Sequence, residues 1–393
     1  MKSCTKKKTP RRRHPMGIES YRSEFPITER YCFLNHAAVS PLPRRAMESV
    51  KTLARQMSMD GIAYYSQWEA REKEVRDLLG RLIGAEARDV AFISNTSEGL
   101  SIIATGFAWR AGEKVLSIQP DFPSNIYPWM NLERVGVEVV VVKRREGRFS
   151  IKDVATALKP GVKMITVSSV DFASGHYCDL EGLGELCKEK GLILCVDGIQ
   201  SIGVIPVDVK KYGIHVLAAG GQKWLLGPMG CGLLFVSHEV RDLIHPTHVG
   251  WKSVIDEEEF FDLRFELKRD CARFEPGTLN LFGIYALGAA VELLLEVGVD
   301  QIRDKVLATN DLFIQGLKSR GLKIASPLDR EERSGILYFI PPGDATRCYL
   351  HLQKHNVMVS ERNGKIRLSP HFYNNEDDVT HFFQALDSYL SLS

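Results

Sequence analysis

The sequence predicts an α/β protein: a large unit built on a mostly parallel, mixed sheet flanked by helices, then a smaller α+β unit. Three observations carry this. Short apolar runs bounded by Gly and polar residues recur at 90–93, 114–118, 137–142, 162–167, 192–196 and 215–219; such runs are what strands buried on both faces look like. Helical patterns fall between several of them, as at 100–109 and 181–190, and this alternation implies right-handed crossovers between parallel neighbours. After an apolar helix at 282–297 the pattern changes to helices mixed with short strands at 336–340 and 365–368. The expected division is a basic tail at 1–15, a large unit at 16–282 and a small one at 283–393, with the N-terminal segment free to pack on the small unit. A chain of 393 residues, 44% hydrophobic, is long enough to give each unit its own core.

In chain order, residues 1–15 hold seven of the 51 Lys and Arg and no acid, which leaves 44 basic against 49 acidic side chains in the rest. The tail reads as a solvated, disordered segment, with a nucleic-acid arm and a true start at Met16 as alternatives. Residues 31–43 read as an ordered loop entering the body, and 44–84 as helical. The run at 90–93 leads into Ser94, Asn95, Thr96 and Ser97 and then a helix. A helix start rich in hydroxyls suits a phosphate, because free N–H groups and the positive dipole end meet the anion. An ordinary cap, Asn95 with Glu98, reads equally well there. The strand at 114–118 runs to Asp121 and Phe122, an aromatic placed where it could stack on a ring or simply fill the core. The strand at 162–167 leads to Ser168, Ser169 and Asp171, and His176 beyond reads as structural.

The stretch 192–232 is the centre of the chain. Its first strand ends in Asp197; its second ends in Gly220, Gly221, Gln222 and Lys223. Both side chains would then sit at the carboxyl ends of strands, where open α/β sheets bind ligands. An Asp there is ordinarily a turn or cap, and a Lys is ordinarily solvated. Lys223, however, lies between glycines and the apolar run 224–228. A carboxylate that keeps a pyridine nitrogen protonated and an amine that forms a Schiff base are together what pyridoxal phosphate requires of a protein. Residues 240–270 read as charged and aromatic loops over that site, and 273–280 as a turn rich in donors.

Other classes are disfavoured. The eight cysteines form no C-x-x-C and read as reduced, buried thiols of a cytoplasmic protein, with no metal site. No run is apolar enough to span a membrane, and the basic start lacks the apolar segment of a secretory signal. Gly227 to Gly232 lacks the G-x-G-x-x-G order of a dinucleotide fingerprint.

Taken together, the segments VDGIQSIGVIPVDV, GGQKWLLGPMGCGLLFV, RFEPGTLN and IRLSPHFYNNEDDV resemble the class V aminotransferase family, which includes cysteine desulfurases, isopenicillin N epimerase-like proteins and related lyases. The similarity runs from about Tyr31 to the C-terminus. It implies a fold type I, pyridoxal 5'-phosphate-dependent enzyme acting on an amino acid, by transamination or lyase chemistry, as a homodimer. It also implies roles: Lys223 as Schiff-base lysine, Asp197 at the pyridine nitrogen, Gln200 at the ring hydroxyl, and Thr96 and Ser97 at the phosphate. Phe122 falls where desulfurases place a stacking His, and Ser169 is a looser match near the ring hydroxyl. Thr278 matches a residue reaching the neighbouring subunit's phosphate, Arg367 holds the substrate carboxylate, and Asn35 and His36 lie near the substrate. Gly220 and Gln222 replace the Ser and His that desulfurases carry before the lysine, and Gln222 can still donate to the phosphate. No cysteine stands in 359–367, where desulfurases place theirs; the nearest upstream is Cys348. Desulfuration, C–S lysis and epimerisation remain as alternatives, and a nucleic-acid or scaffold module as the non-enzyme one.

Overall fold

The computed structural model describes residues 17–392, so the expectations for the tail and for Met16 lie outside the described residues. After two short 3-10 turns come β1 (Cys32–Phe33), α1 (Arg44–Met59) and α2 (Tyr65–Ile83). The alternating part follows: β2 (Val90–Ile93), α3 (Thr96–Gly106), β3 (Lys114–Gln119), α4 (Tyr127–Met130), β4 (Glu138–Lys143), α5 (Ile151–Ala157), β5 (Val162–Ser168), α6 (Leu180–Lys190), β6 (Ile193–Asp197), β7 (Val216–Gly220) and β8 (Gly232–Val236). Then come α7 (His238–Arg241), α8 (Leu281–Val297), α9 (Val299–Ser319), β9 (Lys323–Ile324), β10 (Leu337–Ile340), α10 (Ala345–Lys354), β11 (Val357–Met358), β12 (Ser360–Arg362), β13 (Lys365–Leu368) and α11 (Glu376–Leu390).

The large sheet has seven strands in the order β2-β8-β7-β6-β5-β3-β4. Neighbours from β7 to β4 are parallel, while β8 runs antiparallel to both β2 and β7. Reversing twice returns β2 to the direction of β7, so the carboxyl ends of β2, β3, β5, β6 and β7 open on one edge. The central strands β6 and β7 are buried at every position, which is why they read as unbroken apolar runs. Leu116, Ile165, Leu194 and Leu217 face one layer, and Val115, Met164, Cys195 and Val216 face the other. Helix α3 lies close on the second layer through Gly99, where a Cβ would come within 2.8 Å of Ile93 Cδ1 and 3.0 Å of Ala218 Cβ.

A second core gathers Leu34, Phe313, Leu337, Phe339, Leu352, Ile366 and Phe382 around the antiparallel sheet β12-β13-β10-β9. The N-terminal segment joins it, with β1 parallel to β11. Helix α8 does not divide the two cores. Helix α8 is apolar nearly all round, and its Ile284, Leu287, Val291 and Leu294 belong to the large-sheet core. The change of core falls inside α9, whose Ile302 and Val306 pack with the large sheet and whose Phe313 and Leu317 pack with the small one. Among the described residues no single helix is long and apolar enough to cross a membrane.

Candidate active site

The strand ends on the shared edge bring one set of side chains around a small hollow, lined by Asp121, Phe122, Ser168, Phe172, Asp197, Gln200 and Lys223 among others. Ser168 and Asp197 end neighbouring strands in direct register. Lys223 stands in the turn just after β7, and the Asp121–Phe122 pair follows β3.

Asp197 is fully enclosed. Its Oδ1 accepts a hydrogen bond from the Ile199 N–H at 3.0 Å, and no other described protein group donates to the carboxylate. Burial, reinforced by the nearby Asp121 carboxylate, raises its pKa to about 7. Lys223 faces the same hollow, its Nζ 5.5 Å from the centre of the Phe122 ring and without a hydrogen-bond acceptor among the described residues. Burial lowers its pKa to about 8; Asp197 opposes that shift, and Arg367 and Arg362 add to it. A buried acid seeking a proton donor and a poorly solvated amine thus share one cavity.

The rest of this end is pinned by packing. Gln200 Oε1 accepts from Trp224 Nε1 at 2.8 Å, and its Nε2 donates to Ala37 O at 3.1 Å, leaving one amide hydrogen free. Trp224 is itself locked. Gly203 sits at φ +100°, and a Cβ there would lie 2.4 Å from Trp224 O, so only glycine fits. Thr96 Oγ1 accepts from the Gly220 N–H at 3.0 Å, tying the start of α3 to the end of β7. Asn95 caps that helix by accepting from the Glu98 N–H, and the Ser97 and Ser124 hydroxyls meet at 2.7 Å. The cap and the anion cradle are therefore one structure, since capping at the third turn position leaves the first N–H groups of α3 free. Beside it, Gln222 Oε1 is buried without a partner. Thr278 is exposed on this chain.

Across the hollow, Arg367 of β13 is buried, its Nη2 within 3.5 Å of Asn35 Oδ1 and 3.4 Å of Ser360 Oγ. Its Nε has no partner. Burial lowers its pKa, and Arg362 contributes in the same direction. Asn35 is thus placed beside Arg367.

Two expected site residues do not face the hollow. His36 is wholly buried among Trp224, His371 and Tyr373. Both ring nitrogens are occupied, by Ser369 O at 2.8 Å and the Tyr373 hydroxyl at 2.7 Å, so it packs the entry loop rather than meeting a ligand. Ser169 turns its hydroxyl to Asp197 O and Ser201 Oγ; its neighbour Ser168 faces the hollow instead. Of the loops at 240–270 expected over the site, residues 254–264 line a separate hollow against Glu69 and Lys73. Sequence reasoning missed Asp121, which accepts from the Phe122 N–H, Asn125 and Ser168. The signal was there, because Asp121 follows a strand as Asp197 does. Phe172 gave none.

This edge-on cavity, with an acid, an amine and an anion cradle at successive strand ends, is the site of a pyridoxal-phosphate-type α/β enzyme. The family model "Aminotransferase class-V" matches residues 32–382, and the chain belongs to the class V aminotransferase family. It is 28% identical to a probable cysteine desulfurase of Pyrococcus abyssi, over 94% of this chain and 96% of that one. It is 29% identical to an uncharacterized aminotransferase of Bacillus subtilis, over 92% and 95%. The apo cysteine desulfurase of Thermococcus onnurineus superposes with a TM-score of 0.87 at 25% identity, covering 95% of this chain and 98% of that one. Pyridoxal 5'-phosphate is the cofactor that goes with this membership, and the free Asp197 oxygen, the unpartnered Lys223 amine and the open N–H groups of α3 fit it.

Proposed function

We propose that this enzyme removes the α-proton of an α-amino acid, for transamination or elimination, without a protein thiol in the reaction. The observation that carries the reading is the facing pair of Asp197 and Lys223, with the Arg367 guanidinium beyond it. Bound there, pyridoxal 5'-phosphate supplies an electrophilic aldehyde carbon and an electron-poor ring. The α3 N-terminus with Thr96, Ser97 and Gln222 would hold its phosphate, Asp197 its pyridine nitrogen, Gln200 its hydroxyl, and Phe122 its ring face. Arg367, steadied by Asn35 and Ser360, takes the substrate carboxylate in its planar fork. Lys223, kept close to neutrality by burial, accepts the α-proton on Nζ. Asp197 would keep a proton on the ring nitrogen of the bound cofactor.

The names of the relatives favour cysteine as substrate, but a persulfide relay needs an accessible thiolate. All seven described cysteines are buried, none lines the hollow, and burial pushes the Cys348 thiol up to about 12. The experiment is a titration of the purified holoenzyme with single amino acids, followed by its visible absorbance and by assays for keto acid and sulfide. A spectral response lost in Arg367→Ala supports the reading. A persulfide found on the protein after cysteine treatment refutes it. The same reading takes the enzyme to be a cytoplasmic homodimer, in line with the exposed position of Thr278 and with seven described thiols that form no disulfide among themselves; a monomeric mass by light scattering would oppose the dimer.

A further inference from the structure

The substrate side of the hollow carries more positive charge than one carboxylate uses. Strands β12 and β13 pair antiparallel with Ser360 opposite Arg367 and Arg362 opposite Lys365, and Tyr338 of β10 lies opposite Arg367. Directly paired residues, and residues two apart on a strand, share a face. Tyr338, Ser360, Arg362, Lys365 and Arg367 therefore form one surface.

That surface is turned to the active site. The Tyr338 hydroxyl donates to Phe172 O at 2.7 Å, and Phe172 lines the hollow with Lys223. Lys365 Nζ lies 5.4 Å above the Tyr338 ring and 3.5 Å from Ala173 O. Ser360 donates to Asn35 at 2.7 Å. Arg362 is exposed and spends Nη1 on the carbonyl of its own neighbour, Glu361, at 2.7 Å. Its charge acts on Lys223, Arg367 and Tyr338 alike.

Among the described residues no acid forms an ion pair with Lys223, Arg362, Lys365 or Arg367. Two carboxylates of the neighbourhood are engaged elsewhere, Asp171 by Ser174 Oγ and Glu361 by the Gly364 N–H. The hairpin tip is fixed by Asn363 at φ +50° and Gly364 at φ +75°, which holds Arg362 and Lys365 opposite each other beside it. Unpaired cations gathered on one rigid face are an anion site, and a neutral amino acid would satisfy only Arg367.

We propose that the substrate is an α-amino acid with a second acidic group on a short side chain, whose distal charge is received by Arg362 with Lys365 while Arg367 takes the α-carboxylate. This rests on the reading of Arg367 given above. Arg362 is then a specificity-determining residue, since it discriminates between substrates without taking part in proton transfer.

The test compares isosteric pairs, aspartate with asparagine and glutamate with glutamine, titrated into purified holoenzyme and read by cofactor absorbance. At least one acid should bind about tenfold or more tightly than its amide, the size expected of a charge-assisted pair. In Arg362→Gln the ratio of the two dissociation constants should fall toward one, and in Lys365→Gln it should fall part of the way. Equal binding of acid and amide by the wild type, with both responses lost in Arg367→Ala, overturns this inference and leaves the reading of Arg367 standing. A preference for the acid that survives intact in Arg362→Gln overturns the assignment to Arg362. An unperturbed spectrum with all four amino acids overturns this inference, and the reading of Arg367 falls with it when cysteine, serine and alanine leave the spectrum unchanged as well.

Discussion

The two ends of the active site are built on opposite plans. At the Asp197 end the residues around the open groups of Asp197, Lys223 and α3 are pinned by protein partners: Gln200 by Trp224 and Ala37, Thr96 by Gly220, and Asp121 by the Phe122 and Ser168 N–H groups, Asn125 and the Ser168 hydroxyl. At the Arg367 end the side chains are cations that pair with no acid among the described residues, steadied by an amide, a hydroxyl and backbone carbonyls. One end is pre-organised around a resident group of fixed shape, where rigidity lowers the cost of binding. The other is left electrostatically incomplete, to be completed by whatever enters. Substitutions at the first end should therefore hit all substrates alike, and substitutions at the second should sort them.

The comparison is tested hardest at Lys223. Lys223→Ala should lower kcat by about 10³-fold with every amino acid, within the usual range for loss of a general base, and should alter the visible absorbance of the unliganded holoenzyme. A variant that kept both would remove Lys223 from the chemistry. Arg367→Ala comes next. Losing hydrogen bonds to a charged group costs about 1.5–3 kcal/mol, so kcat/KM for α-amino acids should fall about 10–100-fold while cofactor affinity stays the same. A matching loss of cofactor would mean that the two ends are not separate.

A smaller effect joins the two ends through charge. Activity should rise with pH as Lys223 loses its proton near pH 8. Arg362 is among the charges that lower the lysine's pKa, so Arg362→Gln should raise it and move the limb toward higher pH by a fraction of a unit. A shift the other way would place Arg362 outside the field at Lys223.

What could be read in the sequence follows the same division. The large-sheet strands are buried on both faces, so β2, β5, β6 and β7 announce themselves as apolar runs, and those runs by themselves put Asp197 and Lys223 at strand ends. The mixed direction of β8 and the home of α8 could not be read, because an all-round apolar helix does not say which core receives it. His36 and Ser169 were misjudged for a local reason. Position in a loop gives proximity but not rotamer, and each side chain is held by a partner outside the lining of the cavity. The face shared by Arg362 and Arg367 needs the strand register, which a run of nine residues does not disclose.

The smallest expected effect separates the two plans from the chemistry of the relatives. Cys348 lies on α10, fully buried in the second core with Leu352, Phe339 and Ile366. Burial pushes its thiol up to about 12, so near pH 8 the reactive thiolate is a minor species. Cys348→Ala removes one buried sulfur and leaves a small void, which should cost about 1 kcal/mol and lower Tm by a few degrees or less. Turnover with every amino acid, cysteine included, should stay within twofold of the wild type. If sulfur transfer passed through this residue, cysteine turnover would vanish while reactions of other amino acids continued. The active site would then have a third part, reaching it by a movement of α10, and the two-ended description would fail.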